Sequence, residues 1–327
     1  MTTKAKVLHL LKNNSTFLSG EKIAQQLNVS RTSIWKAIKE LEKEGFRFEH
    51  QAKGYRYLPS DVLDSVEISH ELSPFDTQVT VLAQSESTMK DAKLASTIDT
   101  MKPSLFIADT QEQAHGRFGR SFFAQPGQGI YMSLLLHPQK HFEELPQYTL
   151  IAASACVRAI EEMTGKHAMI KWVNDIYLDG RKVCGILSEA VSDMETGEIR
   201  SVIIGVGLNF SIPQIQFPDD IQQKATSLFP DGEAMITRNQ LICSIWKHFF
   251  SYLADPTQAY FDLYKERSFV LGKSVSFSQR GTTYQGIAQS IGPKGELIVD
   301  TPEQRFQLLS GEVSLTEIDG LPSAKRG

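Results

Sequence analysis

Three cysteines in 327 residues, at 156, 184 and 243, are too few and too scattered for a disulfide framework. Their spacing matches no metal site, and so sparse a set fits a reducing cytoplasm. No apolar run approaches the ~18–20 residues of a membrane span. Residues 1–14 carry Lys4, Lys6 and Lys12 among their apolar positions and lack a cleavage-site pattern, which argues against a signal peptide. There is no P-loop, and Gly205-Val206-Gly207 lacks the third glycine of a dinucleotide fingerprint. What is present is ordinary for a globular protein: 41% hydrophobic and 22% charged residues. That balance excludes disordered and collagen-like chains, and the length suggests two or three domains.

The net charge of -4 hides an asymmetry. Residues 1–60 hold 11 Lys and Arg against 5 Glu, a surplus of +6, whereas the remaining residues sum to -10. A basic head on an acidic body points to a polyanionic partner for the head alone.

Three helical patterns fill the first 45 residues. Val7, Leu8, Leu10 and Leu11 form one apolar face. Ser19 can cap a second helix carrying Ile23, Ala24 and Leu27, and Ser30 a third carrying Ile34, Ile38 and Leu41. Helix, short turn and helix make a helix-turn-helix. Ser30, Arg31, Thr32, Ser33 and Lys36 open the third helix, at the end that meets base edges and phosphates. Trp35 is expected to pack in the core or between domains. Phe46-Arg47-Phe48 and Tyr55-Arg56-Tyr57 alternate like the strands of a wing, with Lys53-Gly54 near their turn. A small three-helix domain used for protein contacts is the plainer alternative.

The expected domains are a winged helix-turn-helix over 1–60, a linker with a short helix over 61–78, a catalytic body over 79–268 and a C-terminal domain over 269–327. In the body, strand patterns at 79–83, 104–108, 130–136, 169–172, 176–178 and 202–207 do not alternate regularly with helix patterns at 89–95, 149–162 and 238–253. This favours an α+β fold with a mixed or antiparallel sheet. Short strand patterns at 275–278, 283–288, 297–300 and 306–309 follow.

Four polar clusters interrupt the body. Ser85-Glu86-Ser87-Thr88 lies between a strand and a helix, where an N-cap is the simplest reading. Gln113–Arg120 pairs glycines with arginines and a histidine, which suits a loop closing over an anion. Lys171-Trp172-Val173-Asn174-Asp175 brings an amine, an amide and a carboxylate together, and Gly180–Gly185 follows it. Gly205–Asn209 ends an apolar strand with two glycines, suited to close approach of a ligand.

Taken in order, these clusters resemble the biotin–protein ligase family, and with the head the chain resembles its bifunctional ligase and biotin operon repressor subclass. The most specific parts are Gly116-Arg117-Phe118-Gly119-Arg120, Lys171-Trp172-x-Asn174-Asp175, Lys182–Leu187 and Gly205–Asn209. Two departures stand out: Ala114-His115 where the loop usually has Gly-Arg, and Val173 where Pro is usual.

The resemblance implies a central ligase domain, a C-terminal small SH3-like β-barrel and a two-step reaction. Biotin and ATP give biotinyl-5′-adenylate, and a lysine of a biotin carboxyl carrier domain then takes the biotin. Mg²⁺ is implied as cofactor, with no ligand set readable. By the same resemblance Arg117 and Lys171 are catalytic. Ser87, Thr88, Met89, Gln111, His115 and Gly116 join them in holding biotin, while Arg120, Asn174, Asp175, Lys182, Asn209 and Glu312 serve ATP. Segments 114–121 and 211–226 are expected to close over the adenylate. Operator DNA is the implied partner of the head, read by a homodimer that forms with ligand. A lipoate-type ligase and a non-catalytic ligand-sensing regulator are the other readings.

Overall fold

The head is built by its caps. The computed structural model describes residues 2–97, 101–145, 147–193, 195–279, 281–309 and 313–315. Its backbone contacts divide the chain into two units, Met1–Leu63 and Asp64–Gly327.

In the first unit Thr2, Ser19 and Ser30 each cap a helix by accepting a backbone N–H: α1 Thr3–Lys12, α2 Gly20–Leu27 and α3 Arg31–Lys43. Asn28 ends α2 in the left-handed conformation, φ 50°, and so makes the turn to α3. Val7, Leu11, Ile23, Ile34, Ile38 and Leu41 meet in a closed core. Strands β1 Arg47–Gln51 and β2 Gly54–Leu58 pair antiparallel as the wing. Leu18 and Tyr55 exchange backbone hydrogen bonds of 2.9 Å, tying the wing to the start of α2. Gly54 is obligatory there: its φ is +127°, and a Cβ would lie 2.1 Å from the Leu18 carbonyl oxygen.

In the second unit α4 Ser65–Glu71 buries Ile68 and is followed by buried Leu72, and the Glu71 carboxylate takes the Lys247 ammonium at 2.5 Å. Residues 64–78, expected as part of a linker, therefore belong to the body, because their apolar side chains have somewhere to be buried.

A seven-stranded mixed sheet forms the centre. Its strands are β3 Gln78–Leu82, β4 Ser104–Ala108, β5 Gly129–Leu136, β6 Met169–Lys171, β7 Asp175–Leu178, β8 Arg181–Ser192 and β9 Ile199–Asn209. The order is β3-β4-β5-β9-β8-β7-β6, with β3–β4 parallel and the other pairs antiparallel. Helices α5 Thr88–Ala95, α6 Tyr148–Thr164, α7 Arg238–Ala254 and α8 Ala259–Arg267 pack around it. The period-2 alternation of β5 divides the two faces. Leu135 packs against Ala92 of α5, whereas Met132 receives the Trp246 indole N–H of α7 at 3.1 Å.

The last strands, β10 Ser274–Gln279, β11 Thr282–Ile291, β12 Leu297–Asp300, β13 Arg305–Leu308 and β14 Val313–Leu315, form an antiparallel sheet in the order β13-β12-β11-β10-β14. Phe277, Tyr284 and Phe306 cluster on it, with ring centroids 4.6–5.6 Å apart.

All three cysteines are buried and unpaired. Burial pushes the Cys243 thiol up to about 12, and burial beside Cys156 pushes the Cys184 thiol well up. Since the thiolate is the reactive form, the folded chain should not react with Ellman's reagent at pH 7. Unfolding should release three thiols. Rapid labelling of one thiol in the native protein would contradict this packing.

Candidate functional site

The cavity lies on the α5 face of the sheet, and its floor is set by strand register. Ser133 of β5 pairs with Gly205 of β9, which pairs with Leu187 of β8, and Gly207 pairs with Gly185. All five residues line the cavity. The glycines serve a purpose other than bare access for a ligand. A Cβ at Gly205 would lie 2.6 Å from the Met89 sulfur, and one at Gly207 would lie 2.9 Å from the Phe122 ring. They clear space for two side chains that themselves line the cavity.

One wall comes from the segment entering α5. Ser87 holds the N-cap position, yet its hydroxyl makes no cap bond and lines the cavity from a buried position. The capping reading of this cluster is therefore not realised at Ser87. The Gln111 side-chain oxygen accepts the Thr88 N–H at 2.7 Å, and the Thr88 and Ser133 hydroxyls pair at 2.8 Å. Together these bonds fix a row of small polar groups at one end of the cavity.

A second wall is the loop 114–122. It folds back on itself through Gly116 N–H to Arg120 O at 2.8 Å and Phe122 N–H to Ala114 O at 2.9 Å. Phe118 at its tip is left-handed, φ 59°, and 71% exposed, with Arg117 over its ring at 5.3 Å. The Arg117 guanidinium donates to the Asn174 side-chain oxygen at 3.1 Å. His115 and Arg120 also line the cavity.

The third wall is the turn between β6 and β7, tied at each residue. The Trp172 indole N–H donates to Gly295 O at 2.9 Å, and the Tyr264 hydroxyl to Val173 O at 2.9 Å. Asn174 and Ile186 exchange two bonds, of 2.7 and 2.9 Å. Burial pushes the Tyr264 phenol up, so it remains a donor. Lys171 thus leaves a strand end whose next three residues are each anchored. Asp175, which begins β7, accepts the Lys182 ammonium at 2.7 Å.

Trp172 is only 3% exposed, lines the cavity and bonds to the C-terminal part of the unit. Replacing Trp172 with Phe removes the N–H and leaves Gly295 O without that donor. We expect a loss of about 1–3 kcal/mol, the cost of an unmade buried hydrogen bond. The urea midpoint measures it, and an unchanged midpoint would deny the tie any weight.

The structure brings Ser87, Thr88, Met89, Gln111, His115, Gly116, Arg117, Arg120, Lys171, Asn174, Asp175 and Lys182 to one cavity. It does not bring Asn209 to the wall: that side chain is buried and donates to Thr226 O at 3.0 Å. Glu312 lies outside the described residues. Phe122, Met132 and Ser133 also line the cavity and lie outside the sequence clusters that point to the site.

Segment 211–226 carries much bonding of its own. The Gln214 amide donates to Gln222 O and Ala225 O at 2.7 and 3.0 Å and accepts from the Thr226 hydroxyl at 3.0 Å. Lys182 exchanges backbone bonds of 2.8 and 2.9 Å with Lys224 and Thr226, so the segment lies along the start of β8.

In the head, the Ser30 hydroxyl accepts the Ser33 N–H at 3.1 Å and pairs with the Ser33 hydroxyl at 2.8 Å. Arg31, Thr32 and Lys36 stand exposed on the same helix.

Two family models match the chain: an HTH domain over residues 3–56 and the biotin/lipoate A/B protein ligase family over residues 79–209. The bifunctional ligase/repressor BirA of Bacillus subtilis is 33% identical, over 91% of this chain and 94% of its own length. That of Escherichia coli is 24% identical, over 96% and 97%. Among solved structures, the biotin protein ligase of Aquifex aeolicus in complex with biotin and ATP is 26% identical. It matches with a TM-score of 0.61, covering 74% of this chain and 99% of its own.

Proposed function

The chain belongs to the bifunctional biotin–protein ligase and repressor family, and from that premise we propose how its cavity performs the ligase reaction. The activity is ATP-dependent attachment of biotin to protein, joined to transcriptional repression through the head. The observation that carries the mechanism is the convergence of Arg117 and Lys171, with a buried hydroxyl and amide row, on one cavity.

A carboxylate is a poor electrophile, so it must first be activated. One oxygen of the biotin carboxylate attacks the α-phosphorus of ATP. The bond to the β-phosphate oxygen breaks, pyrophosphate leaves, and biotinyl-5′-adenylate forms. Two anions must meet for this, and fixed cations at the junction stabilise the charge that concentrates there. Arg117, oriented by Asn174, and Lys171, on its anchored turn, supply them. Ser87, Thr88 and Gln111 hold the polar head of biotin, with Met89 against its chain. His115 and Gly116 run beside that chain. Arg120 and Lys182 face the nucleotide. In the second step the acceptor lysine's neutral amine attacks the acyl carbon, AMP leaves with the bonding pair, and the ammonium loses its proton.

Mg²⁺ fits this wall through Asp175, the carboxylate among the described lining residues. Mg²⁺ is usually held by one or two carboxylates with substrate phosphates, and no cluster of three or more metal-ligating side chains is needed or found among the described residues. When bound it would neutralise phosphate charge.

The acceptor is a lysine of a biotin carboxyl carrier domain, and the repressing species is a homodimer favoured by the adenylate. One winged helix spans one half-site, so a two-fold operator needs two copies. If the adenylate favours the dimer, dimerisation tightens adenylate binding by the same factor. The test offers the carrier domain with biotin or lipoate, and follows sedimentation with biotin alone and with biotin plus ATP. Transfer of biotin only, and dimer only where adenylate can form, are the expected results. Equal transfer of both vitamins would favour the lipoate reading, and equal dimerisation in both states would remove the adenylate switch.

A further inference from the structure

The exposed face of α3 carries an indole among its cations. Ile34, Ala37, Ile38 and Leu41 are buried, while Arg31, Thr32, Trp35 and Lys36 stand exposed on the first half of the helix and Lys39, Glu40 and Lys43 on the second. Trp35, expected in the core or between domains, is 53% exposed and stands outside the core of the head. It sits at the middle of that face, one turn from Arg31 and one from Lys39. We propose that Trp35 is a specificity-determining residue that reads thymine methyl groups in the major groove. The proposal rests on the first unit being a DNA-binding module.

A single exposed aromatic carries no meaning by itself; its neighbours give this one its assignment. The first turn of α3 has no acidic residue, so nothing there repels a phosphate. The Ser30 and Ser33 hydroxyls are engaged with each other at the cap. Lys39 leans away toward Glu42 at 2.8 Å. The front half of the helix therefore presents two cations, a threonine and an indole, on a unit with a charge surplus of +6 over residues 1–60.

Cations on such a face suit phosphates and guanine; the indole suits something else. In the major groove the thymine C5 methyl is the apolar mark that separates A·T from the other pairs, and apolar side chains read it by contact. Indole adds one N–H donor and no acceptor, so it cannot satisfy the amino groups of adenine or cytosine. Packing against a methyl also removes exposed apolar surface from water.

The test uses the full chain with biotin, ATP and Mg²⁺. Duplexes are selected from a random library, and each thymine of the best one is then replaced by deoxyuridine, which removes only the methyl. Wild type, Trp35→Phe and Trp35→Ala are compared on every duplex. At one or two positions deoxyuridine should weaken wild type about 5- to 150-fold, the range for one mismatched base pair. The same substitution should leave Trp35→Ala unaffected, with Trp35→Phe between them. Because Trp35 is exposed, the urea midpoint should not move, and a collapse of the head would itself contradict the assignment. Wild type insensitive to every deoxyuridine overturns the proposal while leaving DNA binding intact. So does an equal loss by Trp35→Ala on selected and unselected duplexes. Loss of self-association in place of base discrimination would assign Trp35 to a second copy of this chain instead. Failure to select any sequence would bring down the DNA-binding reading and this proposal together.

Discussion

Replacing Lys171 with alanine is expected to lower the rate of biotin adenylation about 10²–10³-fold, the range for losing one fixed donor at a site of developing charge. The reason is positional as much as electrostatic. Lys171 ends β6, and the three residues after it are held by Gly295, Tyr264 and Ile186. The protein invests in a rigid turn at this point, which is what preorganised charge stabilisation requires. Lys171→Arg keeps the charge but changes its reach, and should recover only part of the rate. Arg117 sits on the loop wall and is steadied by Asn174, so Asn174→Ala should produce a smaller loss in kcat with biotin binding largely kept. An unchanged adenylation rate in folded Lys171→Ala would remove that residue from the chemistry.

Deleting residues 1–63 should abolish sequence-specific DNA binding and leave biotin adenylation within about tenfold of the full chain. Each unit has its own core: the head closes around Ile34 and Ile38, and the body around its central sheet. Every described cavity residue belongs to the second unit. The cut must fall before Asp64, because Asp64 caps α4 and α4 buries Ile68 in the body. Cutting after residue 78 should instead destabilise the body, and thermal unfolding of the two truncations separates these cases. Loss of adenylation by a folded 64–327 chain would mean that the head takes part in the reaction.

The parts of this architecture legible in sequence are those with local chemistry. Ser19 and Ser30 announce helix starts because a cap is a short-range bond. The loop at 116–120 and the Lys171–Asp175 turn announce themselves by unusual residues held close together. Strand β8 lacks such a mark: it opens with Arg181-Lys182 and carries Gly185 and Glu189, breaking the apolar alternation by which strands are recognised. Helix α8 had its signal in Tyr260, Leu263 and Tyr264 at i, i+3 and i+4, behind a polar turn. Long-range partnerships leave no local mark. Arg238, buried, donates to Asp109 at 2.7 Å from 129 residues away, and Trp172 reaches Gly295 across 123. Asn209 has both kinds of signal. It follows the glycines that suggested a ligand, yet the fold turns its amide to Thr226.

The most direct measurement is isotope exchange between pyrophosphate and ATP by the full chain with Mg²⁺, because it isolates the first step from any acceptor. The account predicts exchange that requires biotin, is lost in Lys171→Ala and survives in the 64–327 chain. Exchange that is absent with biotin, or equally rapid with lipoate, would contradict it.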